Sequence, residues 1–528
     1  MSAARNRRAD LRIGIDVGGT NTDAVVLDAS DRPVAKTKVA TTPDINTGIR
    51  RALAAVLADP RVGAARVGHV MIGTTHATNA LLERRELRRV AALRIGAPAS
   101  TSVRPIFGWP EDLRRAVSAD AAVVAGGLEL DGGDSVAFDA DAVARFCAEV
   151  GDRAEAIAIS SVFAPVSPRH EFLALDVVRR ELGDIPVSLS HQVGSLGLLE
   201  RENTTILNAA LGRVAVQVVQ AIEDALKVHD LGHAVPYFAQ NDGTLMSLES
   251  TERTPVLTIG SGPANSLRGA AFLTGEANAL VADVGGTSTD IGALSLTFPR
   301  ESAFGVEIGG VATNFRMPDL VSIAIGGGTV VARDGDGAVS VGPRSVGYRL
   351  GERALVFGGE VATLSDAAVA AGRARMGHQD VPASAHPLLA EAIGESDRRI
   401  TDAIDRIKVT RGDLPLIAVG GGSVLIPDGL PGVTEVIRPE HFDVANAIGA
   451  AIGTVSGHVD RIVSIGRTEG ERARVIEEAR KDAVGNAVGA GADPGAVEIV
   501  EIDEIPLSYL REPAVRLRVK AAGPLSKV

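Results

Sequence analysis

The 528-residue chain has one cysteine, Cys147, and only 16 aromatic residues, 12 Phe, 3 Tyr and 1 Trp. A single thiol excludes an intramolecular disulfide framework and any zinc site built on several thiolates. So few rings argue against stacking platforms for nucleic acid. Positive charge is also short: 54 Lys and Arg against 66 Asp and Glu give a formal charge of −12. That sign works against nucleic acid or an anionic membrane as partner. No uncharged apolar run approaches the ~20 residues that span a bilayer. The N-terminus is basic (Arg5, Arg7, Arg8), but Asp10, Arg12 and Asp16 interrupt the apolar stretch after it, a poor match to a signal peptide. The expectation is a soluble cytoplasmic protein, with no nucleic-acid partner and no membrane partner.

What is abundant is aliphatic. The hydrophobic fraction is 45%, so the cores are made mainly of Ala, Val, Ile and Leu, and the length suits two to four domains of roughly 150 residues each. Apolar runs at 11–17, 24–27, 70–72 and 156–159 read as buried strands. They alternate with helical stretches at 45–58, from about 77, and at 170–182, which implies α/β architecture. Further on, a small-residue helix at 260–273 precedes a strand at 279–284, and a strand at 416–419 ends at Gly420-Gly421-Gly422. A charged helix at 469–484 and two alternating segments, 497–505 and 514–521, suggest a small α+β unit at the C-terminus.

The most informative feature is an internal echo. Asp16-Val17-Gly18-Gly19-Thr20-Asn21-Thr22-Asp23 recurs as Asp283-Val284-Gly285-Gly286-Thr287-Ser288-Thr289-Asp290, identical at seven of eight positions, each time between two apolar strands. Paired glycines let a turn bring N–H groups close to phosphate oxygens. The threonine hydroxyls of Thr20, Thr22, Thr287 and Thr289 add uncharged donors. Asp16 and Asp283, at the strand ends, sit where a carboxylate holds Mg²⁺ through water or orients an attacking group. One such turn is an ordinary β-turn; two copies in matching context point to a clamp that grips a polyphosphate from both sides. There is neither a Gly-x-x-x-x-Gly-Lys-Ser/Thr P-loop nor a Gly-x-Gly-x-x-Gly after the first strand.

These residues resemble the actin, sugar-kinase and Hsp70 ATPase superfamily, whose two phosphate hairpins come from two duplicated lobes. Ala418-Val419-Gly420-Gly421-Gly422-Ser423 is similar to its adenosine motif, and 260–273 and 444–455 to its two connecting helices. Small residues in both suit helices that cross closely near a hinge; tight packing without a hinge would ask for the same composition. The fold expected is α/β, with two ribonuclease-H-like lobes (9–195 and 196–465) and the C-terminal unit (466–528).

Within that superfamily the chain more closely resembles the hydantoinase/oxoprolinase A-type family. The matching stretches are Ile13 to Ala24, Gly73-Thr74-Thr75-His76-Ala77-Thr78-Asn79 through Arg84, Glu200-Arg201-Glu202-Asn203-Thr204-Thr205, Ser261-Gly262-Pro263-Ala264, Asp283 to Asp290 and Ile325-Gly326-Gly327-Gly328. The resemblance implies an ATP- and Mg²⁺-using enzyme that phosphorylates the oxygen of a small-molecule cyclic amide, lactam or other carbonyl compound, with a second enzyme subunit completing the reaction. The leading expectation is hydrolysis of a hydantoin- or oxoproline-like cyclic amide. The alternatives are a carboxylase component acting on a ketone-like substrate and an actin- or chaperone-like ATPase with conformational output. A homo-oligomer is compatible with all three. A sugar kinase of the zinc-bearing type is disfavoured by the single cysteine. The chain departs from long family members at His76, usually apolar, and around 342–359, which lacks their cysteine-bearing segment.

Asp16 and Asp283 are first candidates for Mg²⁺ and water handling, with Asp23 and Asp290 either facing the metal or capping turns. Gly18, Gly19, Thr20, Asn21, Thr22, Gly285, Gly286, Thr287, Ser288, Thr289, Gly420, Gly421, Gly422 and Ser423 are the nucleotide-binding set. Thr74, Thr75 and Asn79 either cap a helix or aim its N-terminus at an anionic group. His76 is either a general acid–base or a packed residue. Glu200 and Glu202 are either first-turn acids or, by the family match, a substrate or base group. Asp319, Gly326 and Gly327 are further substrate-site candidates. Trp109 is either a substrate wall or core, and Cys147 an inert core thiol.

Overall fold

The computed structural model describes residues 10–42, 44–302, 305–464, 468–507 and 514–526. Its first hairpin forms where the sequence places it. Leu11–Val17 pairs antiparallel with Asn21–Leu27, Asp16 opposite Asp23, and parallel with Val67–Thr74. These aliphatic strands are buried on both faces, which suits an interior sheet covered by helices. The sheet runs through nine described strands in the order Glu498–Pro506, Ala514–Gly523, Thr454–Ser464, Thr244–Ser247, Val235–Ala239, Val67–Thr74, Leu11–Val17, Asn21–Leu27, Pro33–Ala40. A separate parallel sheet joins Ser118–Ala125, Val90–Ala97, Ala156–Ser161 and Val187–Leu189. The helix Ala140–Val150 covers it and buries Cys147.

The second hairpin repeats the first in another sheet. Leu280–Val284 pairs antiparallel with Thr289–Ser295, Asp283 opposite Asp290, and parallel with Leu414–Val419. The chain is thus two lobes, each with a β-hairpin flanked by a parallel strand. The helices Ser261–Thr274 and Ala445–Ala451 lie between them.

Two expected boundaries are corrected by this topology. The segment 466–528 is not a separate unit, because Ala514–Gly523 pairs with Val455 through Ser464 and extends the first sheet. The alternating pattern showed that those strands are half-buried but could not name their partner. Nor does the second lobe begin at 196. The 31-residue helix Leu198–Val228 packs on the Ile45–Leu57 helix and the Ala156–Ser161 strand of the first lobe. It is long and apolar enough, by length and composition, to cross a membrane, yet 78% of its most apolar window is buried inside the protein. That is the signature of a core helix. Trp109 belongs to the same core, its Nε1 donating to Asn203 Oδ1 at 2.8 Å.

Candidate functional site

Each hairpin tip is closed by one backbone bond: Gly18 N–H to Asn21 O at 3.0 Å, and Gly285 N–H to Ser288 O at 2.9 Å. The second tip is braced from behind by the glycine cluster, with Gly327 N–H on Gly285 O (3.0 Å) and Gly328 N–H on Gly286 O (2.7 Å). Gly326 must be bare because a Cβ there would lie 2.6 Å from Thr287 N. Gly420, at φ +82°, turns the chain away from its strand, and Gly422 N–H donates to Val284 O at 2.8 Å. The loop is thereby locked against the base of the second hairpin.

The tips face each other. A Cβ on Gly286 would sit 3.7 Å from the methyl of Thr20, so the two turns lie one small side chain apart. Between the lobes opens a cleft of about 690 Å³. It is lined by Asp16, Gly18, Gly19, Thr20, Asn21 and Asp23 from one lobe, and by Asp283, Gly285, Gly286, Thr287, Ser288, Asp290 and Gly420 to Gly422 from the other. Thr75 and Gly327 also reach it, and Gly262 and Pro263 present a helix N-terminus to it. Such an end favours an anion.

The acids at the cleft are held by amides and hydroxyls from the crossing helices. Asn446 Nδ2 donates to Asp16 Oδ2 at 2.9 Å, and Ser266 Oγ to Asp283 Oδ2 at 2.5 Å. Ser322 Oγ donates to Asp290, and Lys38 Nζ lies 2.6 Å from both oxygens of Asp23. Burial, and then the Asp23 carboxylate, push the Asp16 carboxyl up to about 7. Burial also raises Asp283, Asp290 and Asp23, although Ser266, Ser322 and Lys38 pull respectively in the other direction. An anion cradle that holds several buried acids disfavours their ionised forms.

Several sequence candidates fall outside this cleft. Thr22 and Thr289 are wholly buried, their hydroxyls bonded to Thr41 Oγ1 (3.2 Å) and Ile325 O (2.6 Å). Neither can donate to a phosphate. Ser423 is buried behind the glycine loop. Thr74 is buried with its hydroxyl 3.3 Å from His76 Nδ1. His76 lies against a narrow gap beside the Leu198–Val228 helix, and burial lowers its pKa. It is a packed histidine. Asn79 is exposed on its helix. Glu200 is half-buried near Gly197 and Asn314, and Glu202 is locked in a buried pair with Arg94 at 2.6 Å. Asp319 pairs with Arg300 at 2.7 Å. Gly326 acts as the brace described above rather than as lining. The sequence reading missed Lys38, Asn446, Ser266, Tyr348 and Met376, all of which line the cleft.

Comparison with known proteins agrees with this geometry. The description "Hydantoinase/oxoprolinase N-terminal region" matches residues 12–182, and "Hydantoinase/oxoprolinase" matches residues 201–404. The chain belongs to the hydantoinase/oxoprolinase family. Among its relatives in that family, the caprolactamase subunit alpha of Pseudomonas jessenii is 30% identical over 476 residues, covering 79% of this chain and 66% of that one. The acetophenone carboxylase gamma subunit of Aromatoleum aromaticum is 30% identical over 405 residues, covering 70% of this chain and 54% of that one. The chain therefore spans between about half and two thirds of the length of these relatives. The solved ATP-dependent caprolactamase of Pseudomonas jessenii superposes with a TM-score of 0.74 at 20% identity, over 98% of this chain and 88% of that one. The α/β fold with its paired hairpins is shared with that solved structure.

Proposed function

We propose that this chain uses ATP to phosphorylate the carbonyl oxygen of a cyclic amide, with a partner subunit completing hydrolysis. The observation that carries the reading is the pair of near-identical glycine hairpins meeting across one cleft between buried Asp16 and half-buried Asp283. An amide carbonyl resists water because resonance stabilises it. Joining its oxygen to phosphorus while the bond to ADP breaks converts that oxygen into part of a leaving group, and the lactam nitrogen gives up its proton. A carboxyl with a pKa of about 7, Asp16, is suited to accept that proton at neutral pH. The hairpin N–H groups and the helix N-terminus at Gly262 would hold the phosphates in line.

The residues fit a divalent cation held through water. Asp16 and Asp283 both line the cleft, and bare Gly73 and Gly420 leave the room that their carboxylates occupy, since a Cβ at either would come within 2.4 Å of Asp16 Oδ1 or Asp283 Oδ1. Among the described residues no three His, Cys, Asp or Glu side chains converge to hold a metal alone. Mg²⁺ bound there, outside direct protein ligation, would supply neutralisation of polyphosphate charge.

The relatives' names support a partner, since both are subunits. The carboxylase relative also supports a second reading, a ketone activated by the same phosphorylation and then carboxylated. Phosphate release measured with lactams, hydantoins and ketones, with and without bicarbonate and partner subunit, tests both. Stimulation by a cyclic amide without bicarbonate supports hydrolysis, and bicarbonate dependence with a ketone supports carboxylation. Release indifferent to every carbonyl compound overturns the shared proposal.

A further inference from the structure

One helix registers the acids of both hairpins. Consecutive residues of Ser261–Thr274 reach opposite lobes: Asn265 Nδ2 lies 3.5 Å from Asp16 Oδ1, and Ser266 Oγ donates to Asp283 Oδ2 at 2.5 Å. One turn earlier, Gly262 and Pro263 line the cleft. Where this helix begins therefore sets its anion-facing end and its grip on each acid together.

The helix cannot fix its own start. A capping box needs an acid or amide at the third helical position that reaches back to the N-cap N–H. Here the N-cap is Gly260 and the third position is Pro263. The Gly260 N–H is taken instead by Asn241 Oδ1 at 2.7 Å, from nineteen positions earlier in the chain. Asn241 sits in the turn between Val235–Ala239 and Thr244–Ser247 and is 1% exposed. Its Nδ2 donates to Val256 O at 3.2 Å, and its backbone N–H to Leu257 O at 2.8 Å. These partners fix the orientation of the amide, because an N–H must face its oxygen and a carbonyl its nitrogen. One side chain thus ties both ends of the segment 256–260 that leads into the helix.

The turn is anchored in its own right. Buried Asp242 accepts from Thr244 N–H (3.0 Å) and Thr244 Oγ1 (2.6 Å), and pairs with Lys520 Nζ on the C-terminal strand at 2.6 Å. Breaking a buried pair of this kind is costly, so the turn is a firm support. Asn241 is not among the residues that line the cleft, yet it joins that support to the helix start.

We propose that Asn241 is a positioning residue for phosphate binding in the cleft, acting through Gly260 on the start of the helix. The inference rests on the nucleotide reading proposed above, and not on which carbonyl compound is phosphorylated. Reciprocity follows: whatever the Asn241 contacts contribute to phosphate affinity, bound phosphate returns to those contacts.

The test uses inorganic tripolyphosphate with magnesium on the nucleotide-free full chain. Asn241→Ala, and the milder Asn241→Ser whose hydroxyl is too short to reach Gly260, should each weaken calorimetric binding at least ~10-fold. Asn208→Ala is the matched control. Asn208 is likewise buried and grips the same segment, accepting the Val256 N–H at 3.2 Å and donating to Arg253 O at 2.9 Å, but its hold on that segment ends at Val256. Its removal should lower the melting temperature as Asn241→Ala does, while tripolyphosphate affinity stays within about two-fold. Hydrogen exchange of the parent needs no variant: tripolyphosphate should slow exchange of the Asn241 and Gly260 amides. Unchanged affinity in the Asn241 variants, an equal loss in Asn208→Ala, unchanged exchange, or a parent that does not bind tripolyphosphate overturns the inference. A parent that binds it, with the Asn241 effects as expected, but releases no phosphate with any carbonyl compound fails the proposed function and leaves the role of Asn241 standing.

Discussion

Gly269 and Gly449 meet back to back where the two connecting helices cross. A Cβ on Gly269 would lie 1.9 Å from Ala445 O, and one on Gly449 1.9 Å from Asn265 O. These are backbone atoms, so nothing can rotate aside. We expect Gly449→Ala to destabilise the protein by about 1–3 kcal/mol, as overpacking of a close-packed contact does. Urea unfolding followed by circular dichroism measures it, and a variant as stable as the parent would show that the crossing relaxes freely.

Asp283→Asn should lower ATP turnover by at least ~100-fold, with nucleotide affinity kept within a few-fold, since charge rather than shape is removed. Asp319→Asn, in an ion pair with Arg300 away from the cleft, should retain turnover within about two-fold. Steady-state phosphate release beside fluorescent-nucleotide titration separates the two. Equal effects at both positions would remove Asp283 from the chemistry.

Stability should depend on pH through Asp16. Its carboxyl stands at about 7 when folded against an ordinary 3.8. The folded protein therefore holds a proton that the unfolded chain has released. Stability from this group is greatest below pH ~4, declines as pH rises through the window, and carries the full penalty above pH ~7. Asp16→Asn escapes that penalty, by up to about 4 kcal/mol at pH 8 and progressively less towards pH 4. Melts of the nucleotide-free protein between pH 4 and 8 read the slope; parallel curves for parent and variant would contradict it. The same carboxyl should give kcat/KM an acidic limb with a midpoint near 7, activity falling below it.

Lys38→Met should strand Asp23, which is 4% exposed and has both oxygens 2.6 Å from the lysine nitrogen. An uncompensated buried carboxylate is costly, so the variant should lose about 1–3 kcal/mol and show a raised KM for ATP. The double variant Asp23→Asn/Lys38→Met should recover much of the stability, a coupling that a double-mutant cycle reports. Strict additivity would mean the pair does not interact.

The paired hairpins were legible in the sequence because duplication wrote them twice, and the helix crossing because only small residues tolerate such an approach. The same strands carried a signal that went unused. Side chains alternate across a strand, so if Asn21 and Asp23 face the cleft, Thr22 must face inward, and Thr289 likewise beside Asp290. Lys38 was out of reach for a different reason. It meets Asp23 through pairing with Pro33–Ala40, a strand that the apolar pattern did not reveal. Asn446 touches Asp16 across 430 positions of sequence, a contact that no local pattern encodes. His76 and Glu202 stood in family motifs yet serve packing and a buried ion pair, since a motif also preserves what holds its loop in place.

The lobe bearing the first hairpin draws its strands from residues 11–74, 235–247 and 454–523, whereas the lobe bearing the second is contained between them. During translation, the inner lobe emerges whole while the outer sheet still awaits its final strands. Its aliphatic edge at Thr244–Ser247 stays open until Thr454–Ser464 arrives roughly two hundred residues later. At a synthesis rate of roughly 5–20 residues per second, that wait lasts about ten to forty seconds, a period in which a nascent chain would need shelter from its neighbours.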